Sequence, residues 1–96
     1  MPTYVILSNY TDQGIRSIKD APKRMANMKN RVEKAGGKLV STYSLMGQYD
    51  RLLIMEAPND EAAATIVLGM GTLGNVRTTT IKAFTNEEFV KIVNKL

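Results

Sequence analysis

Two short runs of this chain are apolar without interruption, Tyr4-Val5-Ile6-Leu7 and Leu52-Leu53-Ile54-Met55. Both have the length of a strand, and a strand sends successive side chains to opposite faces of its sheet. A run with no polar alternation therefore belongs to a strand that is covered on both faces. In a chain of 96 residues that is a severe demand. A domain of this size buries only about 60–65% of the surface its unfolded chain exposes. There is no cysteine, so no disulfide can supplement the core. Association with further copies is the remaining common route to more burial.

The rest of the chain supplies the partners of those runs. Thr3 to Tyr10 reads as a strand, broken by Thr11-Asp12-Gln13-Gly14, where Thr11 or Asp12 can cap a short helical turn. Ile18, Ala21, Met25, Met28, Val32 and Ala35 follow at helical spacing and form one apolar stripe. Asp20 stands where a cap belongs, Pro22 is tolerated in a first turn, and Gly36-Gly37 ends the helix. Lys38 to Met46 and Arg51 to Ala57 read as strands joined through Gly47-Gln48-Tyr49-Asp50, and so short a link implies an antiparallel hairpin. Asn59 caps a second helix with Asp60 and Glu61 in its first turn. Ala63, Ile66, Val67 and Met70 form its apolar face, and the glycine-rich run from Gly69 to Gly74 is expected to end it. Val76 to Ala83 is a fourth strand. Thr85 and Glu88 make a capping box for a last helix, with Phe84 and Phe89 placed for a hydrophobic staple.

The order β-α-β-β-α-β plus a terminal helix is that of a ferredoxin-like α+β fold. In it the first and third strands are central, and those are the apolar ones. The second and fourth are more mixed, carrying Ser41, Thr42, Ser44, Thr78, Thr79 and Thr80. Helices can cover one face of the sheet. The simplest cover for the other is the same sheet of a second copy, which predicts a dimeric α/β barrel. Residues 1–96 read as one domain, with no linker, repeat or low-complexity segment.

Composition narrows the chemistry by exclusion. There is no histidine and no cysteine, which removes the usual ligands of zinc, copper, non-haem iron and haem, and also a Ser-His-Asp triad. No metal or cofactor is expected. No segment reaches the roughly 18 apolar residues of a membrane span, and the start, Met1-Pro2-Thr3-Tyr4, lacks the basic stretch of a signal peptide. The expectation is a soluble, cytoplasmic protein with no membrane partner. Positive charge is concentrated early: residues 1–38 hold eight Lys/Arg against three acids, residues 39–96 five against six. The helix bearing Lys23, Arg24, Lys29, Arg31 and Lys34 could meet nucleic acid, but ferredoxin-like RNA binders stack bases on strand aromatics. Leu52-Leu53-Ile54-Met55 has none, so these bases are read as a solvated helix face and no nucleic acid is expected.

The hairpin Met46-Gly47-Gln48-Tyr49-Asp50 resembles the signature after which the GYD domain family is named, with Gly47, Tyr49 and Asp50 matching the name and Gln48 lying between. Flanking text agrees in order along nearly the whole chain, including Thr11-Asp12-Gln13-Gly14-Ile15-Arg16, Glu56-Ala57-Pro58-Asn59-Asp60-Glu61 and Leu73-Gly74-Asn75-Val76-Arg77-Thr78. The resemblance implies membership of the dimeric α/β-barrel group. Relatives in that group include cofactor-poor monooxygenases, isomerases, haem enzymes and ligand-sensing regulators, and such kinship does not transfer an activity.

Several residues carry alternative readings. Gly69-Met70-Gly71-Thr72-Leu73-Gly74 spells the dinucleotide fingerprint, but it follows a helix and precedes a strand, the reverse of the context in which it works. Tyr49 and Asp50 are either turn formers or a catalytic pair, phenol as proton donor and carboxylate as base. Tyr4, Tyr10, Tyr43, Glu56 and Arg77 are candidate ligand-binding residues. Tyr4 and Tyr10 share a strand face with Ile6 and Ser8, and Arg77 either anchors an anion or pairs with Glu56 or Asp50. The methionines at 25, 28 and 70 read as core fillers. Three functions follow: a homo-oligomeric module holding a small organic or acidic molecule between sheet and helices, a cofactor-free isomerase or monooxygenase using Tyr49 and Asp50, or a structural oligomer without ligand.

Overall fold

In the computed structural model, which describes residues 1–96, the two apolar runs lie side by side at the centre of one four-stranded antiparallel sheet. The elements run β1 (Thr3–Tyr10), α1 (Asp12–Arg16), α2 (Ala21–Lys34), β2 (Lys38–Ser44), β3 (Arg51–Glu56), α3 (Asp60–Thr72), β4 (Val76–Ala83) and α4 (Asn86–Val93). The strand order is β2-β3-β1-β4, the ferredoxin-like arrangement expected from the sequence. No helix is long and apolar enough to cross a membrane.

Helices α2 and α3 pack on one face. Tyr4 and Ile6 of β1 and Leu53 and Met55 of β3 meet Met28 and Val32 of α2 and Ala63 and Ile66 of α3. Ile6, Leu53, Met55, Ile66 and Val32 are fully buried. Each such side chain contributes about 1.5–3 kcal/mol over its exposed state. The alternate residues point the other way. Val5 lies between Ile54 and Ile81, and Leu7 between Leu52 and Thr79. No element of the chain lies over this second face: Val5, Leu7, Leu52 and Ile54 are half-buried by their neighbours, and Ile81 and Tyr43 stay 47% and 59% exposed. β2 carries a register shift between Leu39 and Ser41, which leaves Val40 as the extra residue.

Local chemistry explains the ends of the elements and where the sequence reading needs correction. Thr11 caps α1 through its hydroxyl, which accepts from the Gly14 amide at 3.1 Å. Asn59 caps α3 by accepting from the Ala62 amide at 2.8 Å. Asp20 occupies the cap position of α2 without a side-chain bond, because residues 18–20 already form a tight helical turn that leads directly into α2. α3 ends inside the glycine-rich run, as expected. It runs through Gly69 and Gly71 to Thr72, and Gly74 supplies the positive φ, +82°, that turns the chain toward β4. Both capping-box bonds of α4 are present. Phe84 and Phe89, placed for the staple, are both mostly exposed, and Lys82 Nζ lies over the Phe84 ring at 4.5 Å.

Candidate functional site

A cavity of about 290 Å³ opens between the sheet and helices α2 and α3. Its strand side is built from Ser8 and Tyr10 of β1 and Arg51 and Leu53 of β3; its helix side presents Met25 and Met28 of α2 and Met70 of α3. Inward alternation places the strand residues there. Leu53 faces the helices, so Arg51, two positions earlier, faces them too, opposite Ser8.

Three arginines line this cavity, Arg24, Arg31 and Arg51, and no acidic side chain does. Arg24 donates from Nη1 to the Ser17 carbonyl at 2.9 Å and the Ser17 hydroxyl at 3.1 Å, and from Nη2 to the Gly14 carbonyl at 3.3 Å. Arg51 Nη1 donates to Ser44 Oγ at 3.0 Å, while its Nε is buried without a hydrogen-bond partner. Such a buried donor costs about 1–3 kcal/mol unless an acceptor reaches it. The Arg31 guanidinium lies against Gly69 of α3, where only the missing side chain leaves it room. Arg24, Asn27 and Asn75 also border a shallow, wholly polar depression with Ser17, Asp20 and Lys23. The cavity thus joins apolar walls to a polar, cationic opening.

The chain ties down the rim of this opening with hydrogen bonds between distant segments. Thr11 donates its hydroxyl to the Gly74 carbonyl at 2.6 Å, and its amide to the Asn75 carbonyl at 3.0 Å. Gln13 Nε2 donates to the Leu73 carbonyl at 3.1 Å and to Asn75 Oδ1 at 2.9 Å. Gly14 packs so closely on the Asn75 backbone that any side chain there would collide with it.

The residues singled out in the sequence are scattered by the fold. Tyr10 lines the cavity. Tyr4 is on the same sheet face but near the other end of β1, 4% exposed, where its hydroxyl donates to the Asp60 carboxylate. Tyr43 stands on the uncovered face beside Leu52. Glu56 and Arg77 are on that face too, but opposite Thr3 and Asn9 respectively. Those positions are six steps apart along β1, roughly 20 Å at strand rise, so the two do not pair. Tyr49 is half-buried in the turn before β3 and does not line the cavity. Asp50 accepts from the Tyr10 amide at 2.9 Å, its own amide donates to the Ser8 carbonyl at 2.9 Å, and its carbonyl accepts from the Leu45 amide at 2.8 Å. These bonds extend the β1–β3 register past Arg51 and close the hairpin. No group of three or more acidic side chains converges as metal ligands would.

Arg24, Arg31 and Arg51 escaped the sequence reading. For Arg51 a signal existed: a charged residue in phase with Leu53 and Met55 sits on the helix-covered face. Arg24 and Arg31 flank Met25 and Met28 at the edge of the α2 stripe, where the sequence does not distinguish a solvated base from one turned toward a cavity.

Comparison with known proteins places this geometry in context. A family model described as GYD domain matches residues 4–93. A protein of Thermus thermophilus named glutamine synthetase and cystathionine beta-lyase binding protein is 31% identical over 84 residues, which cover 86% of this chain and 88% of that protein. Solved structures share the fold. MtbAldR superposes with a TM-score of 0.69 at 15% identity, over 88% of this chain and 52% of its own, so this chain spans about half of it. FFRP-DM1 gives 0.63 at 16% identity, over 88% of this chain and 100% of its own. TTHA0845, also from Thermus thermophilus, gives 0.56 at 21%, over 88% and 95%.

Proposed function

This chain belongs to the GYD domain family, and we propose that it works as a homo-oligomeric binding module that takes a small molecule between sheet and helices. The observation that carries the reading is the cavity, about 290 Å³, whose lining is mostly apolar with polar groups from both strands and helix. That composition and near-minimal size suit a small organic ligand, whose pockets start at about 300 Å³. The oligomer is supported by the second sheet face, where Val5, Leu7, Leu52 and Ile54 have no helix over them. The catalytic alternative gains no support, because Asp50 spends its carboxylate on the Tyr10 amide and neither Tyr49 nor Asp50 lines the cavity.

Native mass spectrometry of the protein as purified tests both halves of this reading. An even number of subunits carrying a defined extra mass is the expected result. A monomer at micromolar concentration overturns the shared-face argument.

A protein partner is the second reading. The relative from Thermus thermophilus is named for binding glutamine synthetase and cystathionine beta-lyase. An enzyme of that kind would be a partner of this module, with the small molecule tuning the association. Co-sedimentation of the purified protein with purified glutamine synthetase checks it; two independent boundaries at all ratios would refute it for that enzyme.

A further inference from the structure

We propose that the cavity selects small organic carboxylates with an apolar body and no ammonium group, through Arg31 and Arg51 with Arg24 at the opening. The inference rests on the reading that the cavity takes a small molecule, and it names the class.

Charge gives the first argument. Three arginines line one small cavity without an acidic side chain among the 14 lining residues. The bonds that Arg24 and Arg51 make go to neutral acceptors, the Ser17 and Gly14 oxygens and the Ser44 hydroxyl. Their positive charge is therefore unmatched by any lining group. A carboxylate matches that charge, since its two oxygens fit the planar fork of a guanidinium.

The walls give the second argument. Met25, Met28, Met70 and Leu53 offer apolar surface, and thioether side chains adapt to irregular shapes. An inorganic anion would leave that surface unused, whereas an aliphatic chain would fill it.

The third argument is negative selection. An α-amino acid brings an ammonium group along with its carboxylate. The lining provides no carboxylate to receive it and sets three like charges around it. Removing an ammonium from water without a partner is costly. The unsubstituted acid is therefore favoured over the amino acid with the same side chain.

Isothermal titration calorimetry of the full chain with hexanoate, hexanol and norleucine tests this, because the three share one carbon chain. Hexanoate is expected to bind roughly 10-fold or more tighter than either of the others, as a charge-assisted bond predicts, and to weaken as salt is raised. Arg31→Gln and Arg51→Gln, each checked for native circular dichroism, are expected to weaken hexanoate by roughly 10- to 100-fold and to leave hexanol unchanged. Hexanol or norleucine binding as tightly as hexanoate, or hexanoate indifferent to both substitutions, overturns the selection while the cavity remains a ligand site. Failure of all three compounds to bind at millimolar concentration overturns the cavity reading as well.

Discussion

A methyl group at Gly69 would occupy the space in which the Arg31 guanidinium now lies. The contact is with the end of a flexible side chain, so the fold need not yield. Within a helix alanine is about 0.8–1 kcal/mol better than glycine. Gly69→Ala is therefore expected to keep or slightly raise the melting temperature while weakening hexanoate several-fold; a fall in stability with binding intact would show that Gly69 serves packing instead. Tyr4 presents a different single-residue balance. Its hydrogen bond to Asp60, then burial, then the negative charge of Asp60 push its pKa up from 10.0 to about 12. The folded state thus holds this proton more tightly than the unfolded chain does. The stabilisation is complete below pH 10.0 and is lost as pH rises toward about 12. Urea midpoints measured across that window should fall less steeply for Tyr4→Phe than for the parent, and equal slopes would refute the assignment.

At the scale of elements, α4 is the one that does not pack on its own sheet in any principal contact, and Phe89, Val90, Ile92 and Val93 are left exposed along it. A helix of 8 residues is unstable alone in water, so its caps matter more than they would in a packed helix. Bonds to Thr85, first to its backbone and then to its side chain, hold the Glu88 carboxyl below its usual range. That contribution is present above the ordinary carboxylate pKa and is lost as pH falls through the lowered one. Thr85→Ala removes the side-chain half of the box, at a cost of about 1 kcal/mol, and is expected to speed amide exchange across Asn86–Val93 with no change in β1 or β3. Equal speeding in the sheet would mean that α4 is part of the core after all. Legibility followed the same division between elements. Capping boxes and Asn59 were readable because they are local, within one turn of chain. The central strands were readable because Tyr4–Leu7 and Leu52–Met55 are apolar throughout, and for the same reason they do not say which of their faces the helices cover. Assigning Tyr10 to the helix side and Tyr43, Glu56 and Arg77 to the open side needs the register, with its shift between Leu39 and Ser41. The end of α3 was legible to within the glycine-rich run, and its last turn passes Gly69 and Gly71 because Ala63 and Ile66 hold the helix on the core.

For the whole molecule the decisive feature is a sheet whose two faces are both apolar while the chain has helices for only one. A second copy laid on Val5, Leu7, Leu52, Ile54 and Ile81 would complete the core, and folding would then be coupled to association. The melting temperature of the parent protein should rise with protein concentration, because association stabilises only the folded form. Leu52→Glu puts a carboxylate on the uncovered face beside Tyr43 and Leu7. Unpaired burial of that charge between two sheets is strongly unfavourable. The variant is expected to sediment as a monomer with a lower melting temperature that no longer depends on concentration. A parent protein whose melting temperature is already independent of concentration would sink the shared core. The same variant separates the two surfaces of the sheet. The cavity lies on the helix-covered side of the sheet, away from Leu52. Hexanoate should therefore still bind to the monomeric variant, and loss of binding together with the assembly would show that the arginine-lined cavity takes its working shape only when a second copy is in place.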